Sequence, residues 1–398
     1  MSRGGGARYA IAYAALFSIY GILTPYLPVM LRALGYGPAA VGLLLALFEV
    51  VGIIGPIALT AGAESRAGGS AGAGSRRMLA LTALCVLAAQ PLLALVPKPA
   101  ATAAALVILA LGAKTMVPLM DALASSYAAR RGPSLRGGYG ALRAPGTAGF
   151  ILSAMALQLS PGISAGPPWI LAACVGAAAL AFLAAALALP GEARHEASTR
   201  AGPGIGGRRA APGFVLGLVV IGLNRFGMAP ITSFLSLYAK EALGLDAAGA
   251  IWAISATAEI PLMLLAGRII ARTGPMPAIA LSSVAVAARL AMYPAFPSFA
   301  GIAAAQLLHS LSYGLFLPAT VAFVGESFPP ERRATGMALF MGFGVGLPGV
   351  LGNALGGLVV ERFGYPTLFL SFIAFPLASL LAYALTAKRL PRRTPARG

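Results

Sequence analysis

Apolar residues run along this chain in long blocks, separated by short stretches that gather Gly, Pro, Lys and Arg. About 20 apolar residues in helical form cross a bilayer. Blocks of that length fall at roughly 9–32, 39–61, 78–97, 101–128, 138–160, 168–189, 213–238, 247–267, 276–296, 299–325, 335–360 and 366–387. The pattern predicts an all-α membrane protein of twelve transmembrane helices. The one long polar interruption is "GEARHEASTRAGPGIGGRRAAP", residues 191–212, whose Gly, Pro and charge read as a linker. It divides the chain into an N-terminal six-helix bundle, 1–190, and a C-terminal six-helix bundle with a basic tail, 213–398. The opening "MSRGGGARYAIAYAALFSIYGILTPYLPVM" has too long an apolar part for a signal peptide and no small-residue cleavage site. It reads as the first span.

The two halves repeat one another. "YLPVMLRALGYGPAAVGLLLALFEV" in the first matches "FLSLYAKEALGLDAAGAIWAISATAEI" in the second. In each, an aromatic-led helix exit carries one base, a Leu-Gly turn follows, and an acid appears mid-span. Glu49 lies 14 residues past Gly35 (49 − 35), and Glu259 lies 15 past Gly244 (259 − 244). Duplicated six-span units in one orientation imply two bundles about an axis normal to the membrane, with a site expected between them near the midplane.

Composition excludes most other classes. Of 398 residues 59% are hydrophobic and only 10% charged, against about 25% charged in a soluble domain. A net charge of +18 raises nucleic acid as a partner. The bases sit in short segments between apolar runs, however, with no aromatic-interleaved basic domain, so no nucleic-acid partner is expected. They read instead as topology signals. The termini, the linker and the connections on their side hold about 21 Lys and Arg, whereas the opposite connections hold Arg32, Lys98, Lys240 and Arg362. Both termini and the linker are therefore expected to be cytoplasmic, in an inner membrane. Cys85 and Cys174 fall in apolar runs, so no disulfide framework, metal site or cofactor is indicated.

The arrangement resembles the major facilitator superfamily. That family's signature loop runs Gly-x-x-x-Asp-Arg-x-Gly. Here "GRIIARTG" (267–274) keeps Arg272 and both glycines with Ala271 in the acid's place, and "GAESRAGGSAGAGSRR" (62–77) has Glu64 and Arg66 in a stretched loop. Within the superfamily the chain is similar to the lactose-permease-like branch, which includes phenylpropionate permeases and some nucleoside symporters. The matching segments are "PLMDALASSY … RGGYGALRAPGTAGF", "AEIPLMLLAGRI", "QLLHSLSYGLF" and "PPERRATGMAL". The resemblance implies alternating-access transport, a salt bridge between Asp121 and Arg143 across spans 4 and 5, and a functional acid at Glu259. Span 5 lacks the Gly-x-x-x-Gly-Pro pattern of drug–proton antiporters, which favours symport.

A charge inside a bilayer is costly and faces protein or water. The spans hold Glu49, Asp121 and Glu259 against Lys114, Arg143, Arg225 and Arg289, together with His309. Near-balance favours paired networks. Glu259 is either a proton carrier or a structural carboxylate paired with Arg289 or another base. Asp121 and Glu49 carry the same two readings, and Glu49 has Lys114 or Arg143 as partner. His309 either relays protons or hydrogen-bonds structurally, and His195 lies in the linker. Lys114, Arg143 and Arg225 are candidates for substrate binding. Arg225 suits an anionic group or Glu259, and Arg289 a structural pair with a neighbouring helix. Tyr20, Phe48 and Tyr313 are either walls of a cavity or packing. The glycines of "GFGVGLPGVLGNALGG" (342–357) have no preceding strand and no Gly-Lys-Ser/Thr, so they form no phosphate loop and read as a flexible helix.

No catalytic Ser/His/Asp set or metal-ligand spacing is present, so an enzyme is not expected. The expectation is a monomeric secondary transporter in a lipid bilayer, moving a small polar or anionic solute with protons. The solute is an organic anion, a sugar or a nucleoside. Proton-linked efflux of an amphipathic compound and a non-transporting receptor are the alternatives.

Overall fold

A computed structural model describes residues 5–66, 71–96, 98–131, 138–164, 166–190, 213–329 and 332–387. The linker with His195, the side chains of Glu64 and Arg66, and the tail from residue 388 lie outside the described residues. Among those described, every regular element is helical. That is what a chain surrounded by lipid must do, since a helix satisfies its backbone groups internally.

The helices are α1 (Gly5–Ala33), α2 (Pro38–Arg66), α3 (Ala71–Leu95), α4 (Pro99–Arg131), α5 (Gly138–Gln158), the single turn α6 (Pro161–Ser164) and α7 (Pro168–Leu187). The second half continues with α8 (Phe214–Leu237), α9 (Ala248–Thr273), α10 (Pro275–Ala295), α11 (Phe299–Leu307), α12 (Phe316–Ser327), α13 (Arg333–Leu339), α14 (Leu347–Phe372) and α15 (Ala374–Thr386). Three π-helical turns, Tyr238–Ala242, Ser310–Gly314 and Phe340–Gly346, lie in this half.

Ten helical stretches among the described residues are long and apolar enough to cross a membrane. Twelve spans remain consistent with this, for two physical reasons. The stretch Thr335–Thr386 is 52 residues long, or about 78 Å of helix, more than twice the hydrocarbon thickness. It turns at Gly364, whose φ of 80° and ψ of 172° break the helix. Helix α5 is 21 residues long but rich in Gly, with Pro145, Arg143 and Gln158 diluting its apolar character.

The chain forms two compact units. The first comprises Met1–Gly37, Leu47–Ala197 and Asp246–Ala253; the second comprises Pro38–Ala46, Ser198–Leu245 and Ile254–Gly398. The Leu-Gly turn that repeats in sequence repeats in geometry. Gly35 has φ 92° and Gly244 φ 66°, left-handed conformations that side-chain-bearing residues avoid.

In the first unit α1 packs against α5 through glycine. A Cβ on Gly146 would fall 2.7 Å from the Phe17 ring, and one on Gly149 would strike the Ala14 carbonyl. Without a hydrophobic drive between helices in lipid, such close approach supplies the packing. Gly149→Leu is therefore expected to lower stability by about 1–3 kcal/mol through overpacking. Thermal unfolding of the purified variant in detergent measures it, and an unchanged midpoint contradicts the close packing.

The second unit is held by polar stitching as well as apolar packing. Asn224 Nδ2 donates to Ser283 Oγ at 2.8 Å, and Ser379 Oγ donates to the Val220 carbonyl at 2.8 Å. These groups are buried, where an unmade hydrogen bond is penalised. The opening turns of α2 pack within this unit. The Ala39 N–H donates to Glu361 Oε2 at 2.8 Å, and a Cβ on Gly42 would lie 2.8 Å from Gly357 Cα.

Candidate functional site

In the first unit two ion pairs face α4. Its seven-residue interval sets Lys114 and Asp121 on one face, about 10 Å apart along the axis. Lys114 Nζ lies 2.6 Å from Glu49 Oε1 on α2 and 4.9 Å from the centre of the Phe48 ring. Of the two partners open to Glu49, the fold selects Lys114. The selection rests on Gly52, one turn beyond Glu49. A Cβ there would come within 2.9 Å of Lys114 Cγ and 3.1 Å of its Cδ, so the bare glycine leaves the slot in which the lysine stem lies.

At the other end of that face, Arg143 Nη1 on α5 donates to both Asp121 oxygens at 2.8 Å. Tyr13 on α1 also donates to Asp121 Oδ1, at 2.7 Å, and the Tyr139 hydroxyl lies 3.2 Å from Arg143 Nη1. The guanidinium is 5.2 Å from the Phe17 ring centre. Tyr20 donates to the Ala113 carbonyl at 2.6 Å. Tyr13, Phe17 and Tyr20 thus form a row along α1, with neighbouring ring centroids 6.3 Å and 5.9 Å apart.

In the second unit the central group is Arg289 on α10, whose whole side chain is buried. Nη2 donates to Gln306 Oε1 and Nη1 to Ser312 Oγ at 2.6 Å. Tyr293 also donates to Gln306 Oε1, at 3.1 Å. Arg289 Nη1 lies 3.2 Å from His309 Nδ1. A guanidinium only donates, so Nδ1 is the acceptor and the ring proton resides on Nε2. That nitrogen faces Glu259 Oε2 on α9 at 4.0 Å, an electrostatic distance rather than a hydrogen bond. Tyr313 stacks on His309 with centroids 5.5 Å apart. Arg225 on α8 lies 5.5 Å from the Tyr313 ring centre and 5.3 Å from that of Phe316.

The structure thus gathers the sequence candidates into two groups. Glu49, Lys114, Asp121, Arg143, Tyr20 and Phe48 lie in the first unit, and Arg225, Glu259, His309 and Tyr313 in the second. Arg289 does pair with a neighbouring helix, through Gln306. Sequence reasoning missed Tyr13, Tyr139 and Gln306. Gln306 stands three residues before His309, and that helical spacing was the available signal. Tyr13 carried none, because a tyrosine in an apolar span reads as packing. Among the described residues, no group of three or more metal-ligating side chains occurs.

These buried charges, set on helices that cross a bilayer, define a multi-pass integral membrane protein of the transporter type. The chain belongs to the MFS_1 like family, whose model matches residues 7–371. It is 29% identical over 288 residues to a maltose permease of Geobacillus stearothermophilus, covering 71% of each chain. It is 27% identical over 283 residues to the uncharacterized transporter YwbF of Bacillus subtilis (strain 168), covering 68% of this chain and 66% of that one. Its fold is similar to that of the nucleoside transporter NupG, with TM-score 0.79, 18% identity, and 96% and 99% of the two chains covered. A D-xylose–proton symporter shares the fold at TM-score 0.70 and 15% identity, with 98% of each chain covered. The protein is a major facilitator-type transporter and not an enzyme.

Proposed function

We propose that this protein carries a small polar organic solute across the inner membrane together with protons, by alternating access, with both termini cytoplasmic. The observation that carries the reading is the Glu259–His309–Arg289 arrangement. It is a titratable carboxylate facing an imidazole whose other nitrogen is held by a buried arginine. Gaining a proton at Glu259 removes one charge from a cluster that otherwise holds one conformation, and a solute bound to the same state shifts the population further. His309 lies between Glu259 and Arg289, with Nε2 4.0 Å from the carboxylate and Nδ1 held by the guanidinium.

Lys114 and Arg143 are both neutralised by acids within 2.8 Å. With both of these bases paired, the first unit suits an uncharged polar solute. The maltose permease relative supports a sugar over an organic anion.

Glu259→Gln is expected to abolish uphill, gradient-driven accumulation in proteoliposomes while solute exchange persists. A library of radiolabelled sugars, nucleosides and organic acids supplies the substrate for this assay. Undiminished accumulation driven by a pH gradient in that variant removes Glu259 from the coupling step.

A further inference from the structure

The two ion pairs of the first unit differ in what they leave available. Asp121 is taken up on both oxygens by Arg143 and again by Tyr13. Glu49 and Lys114 share one bond, from Nζ to Oε1. Glu49 Oε2 and two of the three Lys114 N–H groups make no hydrogen bond to the described residues. The ammonium also has the Phe48 ring beside it, 4.9 Å from Nζ to the ring centre. Both side chains remain 26% and 28% exposed, so the pair is open on one side rather than sealed. An ion pair kept only for structure gains most from closure and full hydrogen bonding. This one is held in place by the Gly52 slot and by Phe48, yet it presents a carboxylate acceptor beside an ammonium donor.

We propose that Glu49 and Lys114 form a binding subsite for a vicinal pair of hydroxyl groups on an uncharged solute, a use that rests on the transporter reading above. One hydroxyl donates to Glu49 Oε2, and its neighbour accepts from Lys114 Nζ. The ion pair need not break, so binding adds two charge-assisted hydrogen bonds without stranding a charge. A carboxylate ligand is disfavoured, because Glu49 repels it at the distance where Lys114 would hold it. The half-buried rings of Phe17 and Tyr20 lie on α1, Phe17 beside Arg143 and Tyr20 bonded to the carbonyl of Ala113, the residue before Lys114. The interval of about 10 Å between the poles matches two linked sugar rings, or a ribose with its base, better than one small ring. Lys114 and Glu49 are then specificity residues that read the diol, and Gly52 and Phe48 are positioning residues.

The test is equilibrium binding to the purified full chain in detergent. The probes are maltose against per-O-methylated maltose, uridine against 2′-deoxyuridine, and benzoate as the anion. Wild-type protein is expected to prefer maltose over its per-O-methylated form, or uridine over 2′-deoxyuridine, by about tenfold or more. Lys114→Met, Glu49→Gln and the double variant are each expected to collapse that ratio to within about twofold. Gly52→Ala, which displaces the lysine stem without removing either charge, is expected to lower it by an intermediate factor. The diol source is read from which of the two probe pairs discriminates.

The proposal is overturned if the ratio survives in Lys114→Met and Glu49→Gln variants that melt like wild type. It is also overturned if neither pair discriminates in wild type, or if benzoate alone binds and depends on Lys114. Flux of benzoate or of any library solute in proteoliposomes keeps the transporter reading standing in those cases, whereas absence of all flux removes the transporter reading itself.

Discussion

Arg289→Ala is expected to destabilise the protein by about 3–5 kcal/mol, the sum of an unfilled core cavity and buried acceptors left without donors. The arginine is fully buried and supplies the hydrogen bonds of Gln306 Oε1, Ser312 Oγ and His309 Nδ1. Tyr293 still donates to Gln306. Relief of the guanidinium's own desolvation acts in the opposite direction. Arg289→Met separates the contributions, since it refills volume without donors. If the hydrogen bonds dominate, methionine recovers less than half of the loss. Chemical unfolding of the purified variants in detergent measures both. A wild-type midpoint in Arg289→Ala contradicts the structural role. The same variants are expected to lose transport, because His309 then loses the Arg289 contact that holds it beside Glu259.

The second large effect concerns Asp121 and Arg143. Arg143→Met and Asp121→Asn are each expected to reduce solute flux by more than about tenfold, in line with loss of a charge-assisted hydrogen bond to the partner group. Their combination should be less harmful to stability than the sum of the two. Removing one partner leaves the other charged and half-buried, while removing both does not. A fully buried pair loses about 3–5 kcal/mol when broken. Here the side chains keep 30% and 32% of their surface, so solvent screening reduces the coupling to about 1–2 kcal/mol. A double-mutant cycle on unfolding free energies measures it. A coupling near zero would show that the pair is a solvated contact with no hold on α4 and α5. Tyr13→Phe removes the third bond to Asp121 and should weaken the pair further, by about 0.5–1.5 kcal/mol.

Much of the architecture was legible because lipid imposes a strong rule. A span must be helical, long and apolar, so the blocks at 9–32, 101–128 and 276–296 correspond to α1 (Gly5–Ala33), α4 (Pro99–Arg131) and α10 (Pro275–Ala295). The repeated Leu-Gly turns were legible too, since Gly35 and Gly244 both need a left-handed backbone. The pairing of Asp121 with Arg143 came from a family resemblance, and the 2.8 Å contact agrees with it. The partner of Glu49 was open, because Lys114 and Arg143 are both bases on neighbouring spans and sequence distance does not rank them.

By itself, then, the sequence determined what each segment must be: which stretches cross the membrane, and that the buried charges need partners. Apart from Asp121 and Arg143, tertiary structure alone decided which partner each charge has. Gly52 is one small residue among fifty glycines, yet its missing Cβ admits Lys114 beside Glu49. Arg289 reads as a base with an unnamed partner on a neighbouring helix until the fold brings Gln306, Ser312 and His309 around it. The reason is physical. Hydropathy acts residue by residue and can be read along a chain, whereas an ion pair depends on the approach of two helices, which is set by small side chains at contacts no single segment contains.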